Sequence, residues 1–293
     1  MATITFDTEF LRRLEQLQLV SRKLFRGAGK GERRSRRRGL SVEFVDYRNY
    51  VAGDDLRYLD WNLYGRLDQL FLKLFEEEEE LRVTFLLDTS GSMDFGTPTK
   101  LAHALRLTAA LTYVGLSAAD TVRISSFAGE MRDVERAVSG RHQALRVFRA
   151  LESLEASGPT ALNAAVRRLV TKVRIPGLAI VVSDFLDEAG YEEGLRQLLG
   201  RGFEVAVVHV MAQDELDPRW GGDFRLVDSE TGQVREISMG QTTLARYRAA
   251  VEGFCGELEQ FCTSRGIHYL RTLTTDPVDR LCLDSLRRMG LMR

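Results

Sequence analysis

Asp88, Ser90 and Ser92 occupy alternate positions of the string Asp88-Thr89-Ser90-Gly91-Ser92, and alternate residues of an extended segment point to the same side. A hard cation such as magnesium takes about six oxygens in octahedral array and keeps several waters, so a few protein oxygens suffice. Asp88 would bring the negative charge, and Ser90 and Ser92 neutral hydroxyl oxygens. Two later positions suit the same centre. Thr160 follows the turn Ser157-Gly158-Pro159 and opens a helical stretch, so its hydroxyl could reach over from a neighbouring loop; Asp184 ends the apolar run Ala179 to Ser183 much as Asp88 ends its own run. Serine and aspartate also cap helices and build turns constantly, and a lone D-x-S-x-S is a weak signal. The apolar strand before it, with Thr160 and Asp184 following in order, is what gives the motif weight. The expected ion is Mg²⁺, with Mn²⁺ or Ca²⁺ as substitutes.

A hydrolytic metal centre needs a base or a nucleophile beside the ion. His103, His142, His209 and His268 are scattered, with no H-x-x-x-H or H-E-x-x-H pair, and no G-x-x-x-x-G-K-[ST], G-x-G-x-x-G or G-x-S-x-G string occurs. The expectation is therefore a protein that is not an enzyme. The nearest enzymatic alternative is a metal-dependent phosphatase-like hydrolase with Asp88 as nucleophile and Asp184 as the later acid. Two features oppose it: Ser90 stands where such enzymes like a second acid, and no lysine can be assigned to the site from sequence.

These side chains need strand ends to hold them. From Leu81 the chain alternates between apolar strands and helices, the pattern of a mostly parallel sheet covered on both faces, and in such sheets ligands bind at the carboxyl ends of strands. Strands are expected at Arg82 to Asp88, Thr121 to Phe127, Met131 to Ala137 (a short one, at an edge), Leu178 to Ser183, Phe203 to Val210 and Ile267 to Leu270. Helices are expected at Lys100 to Leu116, 140 to 154, 161 to 173, Glu188 to Leu199, 241 to 265 and Val278 to Met289. Phe224 to Ile237 reads as a hairpin around a glycine-containing turn.

Before the sheet, residues 7 to 24 carry Phe10, Leu14, Leu17 and Leu24 near one helical stripe. Arg22 to Arg38 then holds nine basic residues against Glu32 alone, with three glycines interspersed. Nucleic-acid binding through this stretch is kept as an alternative, since neutralised phosphates release counterions, although Phe25 is its lone aromatic for base stacking. Gly39 to Glu80 carries Arg48, Asp54, Asp55, Arg57, Asp60 and Arg66 with Trp61 among them, a set suited to paired charges around an aromatic anchor and a candidate partner-binding surface. Phe71 to Phe75 alternates like a strand. The organisation expected is a segment 1–80, a sheet core 81–212 and a completing segment 213–293.

The chain has 293 residues, 44% of them hydrophobic, enough for a full core in one or two domains. Its 41 basic and 42 acidic residues give a net charge of -1, so the molecule as a whole favours no polyanionic partner. Cys255, Cys262 and Cys282 lack metal-ligand spacing; Cys255 and Cys262, seven apart, read as small core residues of one helix face in a reducing compartment. The N-terminus has acids and no continuous apolar run, and apolar runs elsewhere are of strand length, so the expectation is a cytoplasmic protein without a membrane span.

Asp88, Ser90, Ser92, Thr160 and Asp184 resemble the five positions of the metal-ion-dependent adhesion site of von Willebrand factor A domains. That resemblance implies a von Willebrand factor A-like doubly wound α/β sheet and a cation with one coordination position left for an acidic side chain of a partner. Pro159 stands where that family has a glycine before the threonine. The string Arg48-x-Tyr50-x-x-Gly53-Asp54-Asp55-x-Arg57-x-x-Asp60-Trp61, followed by Leu86-Leu87-Asp88-Thr89-Ser90, resembles the bacterial domain-of-unknown-function family 58 over about residues 39 to 240. Relatives of that family resemble accessory proteins of MoxR-type AAA+ ATPases, which implies a chaperone-like adaptor with the ATPase or its client as partner.

Overall fold

A computed structural model describes residues 4–20, 42–77, 80–218, 222–227 and 234–292. The chain divides into two units, Arg26–Glu80 and the remainder. The basic stretch Arg22 to Arg38 and the tip of the 224–237 hairpin lie outside the described residues.

In the smaller unit, strand β1 (Val42–Asn49) pairs antiparallel with β2 (Phe71–Glu77), and the helix Trp61–Leu67 lies in the connection. Sequence periodicity gives β2 but not β1, whose four charged or amide residues obscure the alternation. Asp60 is the helix N-cap: its Oδ1 accepts from the Asn62 and Leu63 amides at 2.9 and 3.1 Å, filling donors that the first turn leaves free.

The larger unit holds a six-stranded sheet formed by β3 (Arg82–Asp88), β4 (Thr121–Phe127), β5 (Met131–Val138), β6 (Leu178–Ser183), β7 (Glu204–Met211) and the late strand His268–Leu273. The order across the sheet is His268–Leu273, β7, β6, β3, β4, β5; every pair is parallel except β4 with β5, which lies at the edge as its position in sequence suggests. A separate antiparallel pair, β8 (Gly222–Val227) and β9 (Val234–Met239), is the expected hairpin; numbered in order, His268–Leu273 is β10. This is the doubly wound α/β arrangement expected from the sequence.

Side-chain alternation decides which helices cover which face. Val83, Phe85 and Leu87 of β3 join Ile180, Val182, Ala206 and Val208 in a core under the helices Lys100–Ser117 and Ala144–Glu152 and the C-terminal turns. Leu86, Ala179, Val181, Val205 and Val207 face the other way, under Leu162–Lys172, Glu192–Gly200 and Gln241–Thr263. Both faces of the central strands are therefore dry, and β6 and β7 read as unbroken apolar runs because parallel strands buried on two sides need no polar face.

The structure differs from the sequence reading at three places. Of the helix expected over 7 to 24, residues 21–24 lie outside the described residues and the helix covers Thr8–Leu14; past it Leu19 bridges Met292 while the Val20 amide donates to Leu291 O at 2.9 Å. That pairing with the far terminus also corrects the grouping of 1–80: Phe6 meets Phe148 edge-on and the Ile4 amide donates to Glu152, so the first helix belongs with the sheet. The terminal helix Val278 to Met289 is instead three short stretches with a wide turn at Leu281–Ser285.

The three cysteines are buried and free, with Cys255 Sγ 3.4 Å from Met211 Sδ. Among the described residues no helix is long and apolar enough to cross a membrane.

Candidate metal centre

After β3 the chain turns to β4 on one side, whereas after β6 it turns to β7 on the other. The carboxyl ends of β3 and β6 are adjacent, with Leu87 opposite Val182, so the crevice of the sheet opens where Asp88 and Asp184 emerge. This is the position at which an open α/β sheet binds its ligands.

Asp88 is fully buried and Asp184 is 1% exposed. Asp88 Oδ1 accepts from the Ser90 amide at 2.9 Å, which folds the loop back over the carboxylate, and Oδ2 accepts from the Ser183 hydroxyl at 2.6 Å. Ser90 Oγ and Ser92 Oγ lie 3.1 Å apart, so the alternate serines meet as the spacing anticipates. The loop is pinned from two sides. Thr89 donates its amide to Phe127 O at 2.8 Å and its hydroxyl to the same oxygen at 3.1 Å. On the other side Gly91 N donates to Gly158 O and Ser157 N to Thr89 O, both at 2.8 Å. Gly158 has φ +79°, a left-handed conformation open to glycine, and Thr160 lies two residues beyond it, half-buried, at the start of Leu162–Lys172.

Burial, and then the nearby Asp184 carboxylate, push Asp88 up to about 7. Two buried acids side by side repel each other and lack water to solvate them; a cation between them would remove both penalties. Among the described residues no group of three or more His, Cys, Asp or Glu is placed to hold a metal. The donors at this crevice are two carboxylates and serine hydroxyls, an all-oxygen set that suits a hard, partly hydrated ion and not a soft one.

Three further side chains belong to the centre. Ser183, beside Asp184, orients Asp88 and accepts from the Phe185 amide at 2.8 Å. Lys100 is 1% exposed and donates to Asp184 Oδ2 at 2.6 Å and to Glu215 Oε1 at 2.5 Å. Burial alone would push the Lys100 ammonium down, but the attraction of Asp184 and Glu215 outweighs it and holds the group above its ordinary value. The sequence offered one clue to Lys100: it opens a helix whose residues through Leu116 are buried almost all round, where a charge needs a partner.

Three of the four histidines, His103, His209 and His268, are buried in side-chain contacts, and His142 is exposed. His103 contacts Thr272 at 3.1 Å, His209 Nδ1 contacts the Tyr269 hydroxyl at 2.9 Å and His268 contacts Glu204 at 3.0 Å; burial pushes His103 and His209 down to about 4.

In the smaller unit the charges pair locally. Arg48 makes two 2.7 Å bonds to Asp54, Arg57 grips its near neighbour Asp55 at 2.5 Å, and Asp60 takes Tyr47 at 2.9 Å and Lys73 at 3.1 Å. Trp61, the aromatic residue of this set, is 64% exposed and edge-on to Tyr64. It is the first helical residue after the Asp60 cap. Arg66 lies in the last turn of the same helix.

The chain is 27% identical over 238 residues to the uncharacterized protein Rv1480 of Mycobacterium tuberculosis (strain ATCC 25618 / H37Rv), covering 80% of this chain and 75% of that protein. The same figures hold for the uncharacterized protein Mb1516 of Mycobacterium bovis. Among solved structures, the conserved hypothetical protein BatB from Bacteroides thetaiotaomicron aligns with TM-score 0.45 and 18% identity over 72% of this chain and 98% of that one. An aerotolerance-related membrane protein from Bacteroides fragilis NCTC 9343 aligns with TM-score 0.46 and 20% identity over the same shares. A von Willebrand factor type A protein from Catenulispora acidiphila aligns with TM-score 0.43 and 14% identity, over 74% of this chain and 43% of that one. The family model described as "Protein of unknown function DUF58" matches residues 46–253, from within β1 to the middle of the Gln241–Thr263 helix, and the chain belongs to that family.

Proposed function

We propose that the crevice at Asp88 takes one hard dication, Mg²⁺ or Mn²⁺, and uses it to grip a carboxylate of a protein partner, making the protein a non-enzymatic, metal-dependent interaction module. The observation that carries this reading is the burial of Asp88 and Asp184 together at the switch point, beside the paired hydroxyls of Ser90 and Ser92. The ion would supply a positive coordination position that no free side chain of the crevice offers. Asp88, Ser90 and Ser92 would hold it, with Thr160 and Asp184 completing the oxygen shell. Ser183 and the Ser90 amide keep the Asp88 carboxylate aimed. The resemblance to MoxR-associated proteins makes such an ATPase, or its client, the partner to seek, and the role that of a chaperone-like adaptor.

Capture of partners from native extract with magnesium present is expected to be lost on adding EDTA. Ser90→Ala, which removes one hydroxyl donor from a small buried site, is expected to weaken Mn²⁺ uptake and capture by roughly ten- to a hundredfold, at least the loss usual for a supporting residue of a metal site, with the thermal midpoint in EDTA little changed. Capture indifferent to chelation would refute the reading. Uptake should also depend on pH, because the ion must displace the proton that Asp88 holds up to about 7. Mn²⁺ affinity is expected to be about tenfold weaker at pH 6 than at pH 8, with close to one proton released per ion at pH 6; a flat profile would remove Asp88 from the ligands.

A second reading gains from Lys100. A phosphatase-like hydrolase using Asp88 needs a lysine near its acids, and Lys100 bonds to Asp184. Against it, Ser90 occupies the position of the second acid, and both Asp88 oxygens are engaged by Ser90 and Ser183. Turnover of p-nitrophenyl phosphate with Mg²⁺, abolished by Asp88→Asn, would favour the hydrolase.

A further inference from the structure

We propose that Lys100 is a resident counter-cation that sets the charge of the Asp88 centre and thereby limits how tightly the centre holds a dication; the inference rests on the cation reading above. Lys100 reaches the crevice from the start of its helix and joins two other elements, the end of β6 through Asp184 and the turn after β7 through Glu215. All the oxygens of its two partners are engaged. Asp184 Oδ1 accepts from the Leu186 amide at 3.2 Å while Oδ2 takes the ammonium, and Glu215 Oε2 accepts from the Ala212 amide at 2.8 Å while Oε1 takes the ammonium.

The cluster therefore counts three carboxylates, Asp88, Asp184 and Glu215, against one ammonium. Its formal charge is two negative units, which one dication balances; with Lys100 neutral it would be three. Charge count is a principal control on how tightly an oxygen site holds a hard cation, and a fixed positive charge acts strongly where water is excluded. A purely structural role is poorly served by a buried ion pair, since apolar residues of similar volume are often as stable or more so. Lys100 also keeps an ammonium on Asp184 Oδ2, so Asp184 would be shared between the ammonium and the ion.

Mn²⁺ titration of the full chain, followed by the electron paramagnetic resonance signal of the free ion, tests this. Lys100→Met adds one negative unit and is expected to bind Mn²⁺ at least about tenfold tighter. Glu215→Gln removes one unit and is expected to bind at least about tenfold weaker. The double variant restores the original count and should return to within about threefold of the wild type; Lys100→Arg, which keeps the charge, should stay near it. Should Lys100→Met fail to fold, Glu215→Gln and Lys100→Arg still decide the matter, because the first must weaken uptake and the second must not. Wild-type uptake that ignores these charge changes overturns the role of Lys100 and leaves the cation reading standing. Absence of uptake in every variant overturns both, whereas uptake in Lys100→Met alone supports the limit that the lysine imposes.

Discussion

Asp88→Asn is expected to make the cation-free protein more stable, not less. In EDTA at pH 8 the wild type carries an ionised Asp88 that burial and Asp184 disfavour, with its pKa pushed up to about 7. The folded state therefore holds a proton that the unfolded chain, titrating near 4, releases. Stability from this group is complete below the unfolded value and is lost as pH rises through about 7. The size of the displacement corresponds to about 4 kcal/mol. Asparagine keeps the shape and carries no charge, so the thermal midpoint in EDTA should be flat over this window and higher than the wild type at pH 8. Addition of Mn²⁺ should raise the wild-type midpoint and leave Asp88→Asn unmoved. A variant less stable than the wild type in EDTA at pH 8 would show that Asp88 serves packing, and that its burial is no sign of a ligand site.

Gly177→Ala is expected to cost about 3 kcal/mol or more, at the upper end for overpacking, and to disturb the centre from a distance. Gly177 precedes β6, and its carbonyl accepts from the Glu204 amide at 2.9 Å. A Cβ there would lie 2.1 Å from the carbonyl oxygen of Arg82, the first residue of β3, and 2.9 Å from the Arg82 Cβ. The clash is with backbone, so no rotamer relieves it, and β3 and β6 must part at the end opposite Asp88 and Asp184. The thermal midpoint should fall by roughly 6–12 °C for a chain of this size. Gly200→Ala, whose Cβ would meet nothing within 4 Å at the end of the Glu192–Gly200 helix, serves as the control and should be neutral or slightly stabilising. Equal midpoints for the two variants would disprove the close approach.

Strand reading succeeded where burial is two-sided. Arg82–Asp88 and Leu178–Ser183 have the observed limits because their apolar runs begin and end with the sheet. It failed where polar side chains break the pattern, as in Val42–Asn49, or where long-range pairing overrides helical periodicity, as past Leu14. In the candidate centre, the meeting of Ser90 with Ser92 follows from adjacent residues in one loop. The approach of Asp184 to Asp88 could be anticipated, because each ends an apolar strand of one parallel sheet.

What the amino-acid sequence determined by itself, then, was the α/β alternation, the loop after β3 and the oxygen character of its donors, all products of local pattern. Only the tertiary structure decided that Ser183 would hold Asp88 from 95 residues away, and that Lys100 would bind Asp184 and Glu215 across 84 and 115 residues. The reason is physical. Spacing along the chain fixes which way neighbouring side chains point, whereas the pairing of a buried ammonium with carboxylates is chosen by which elements the two hydrophobic cores bring together.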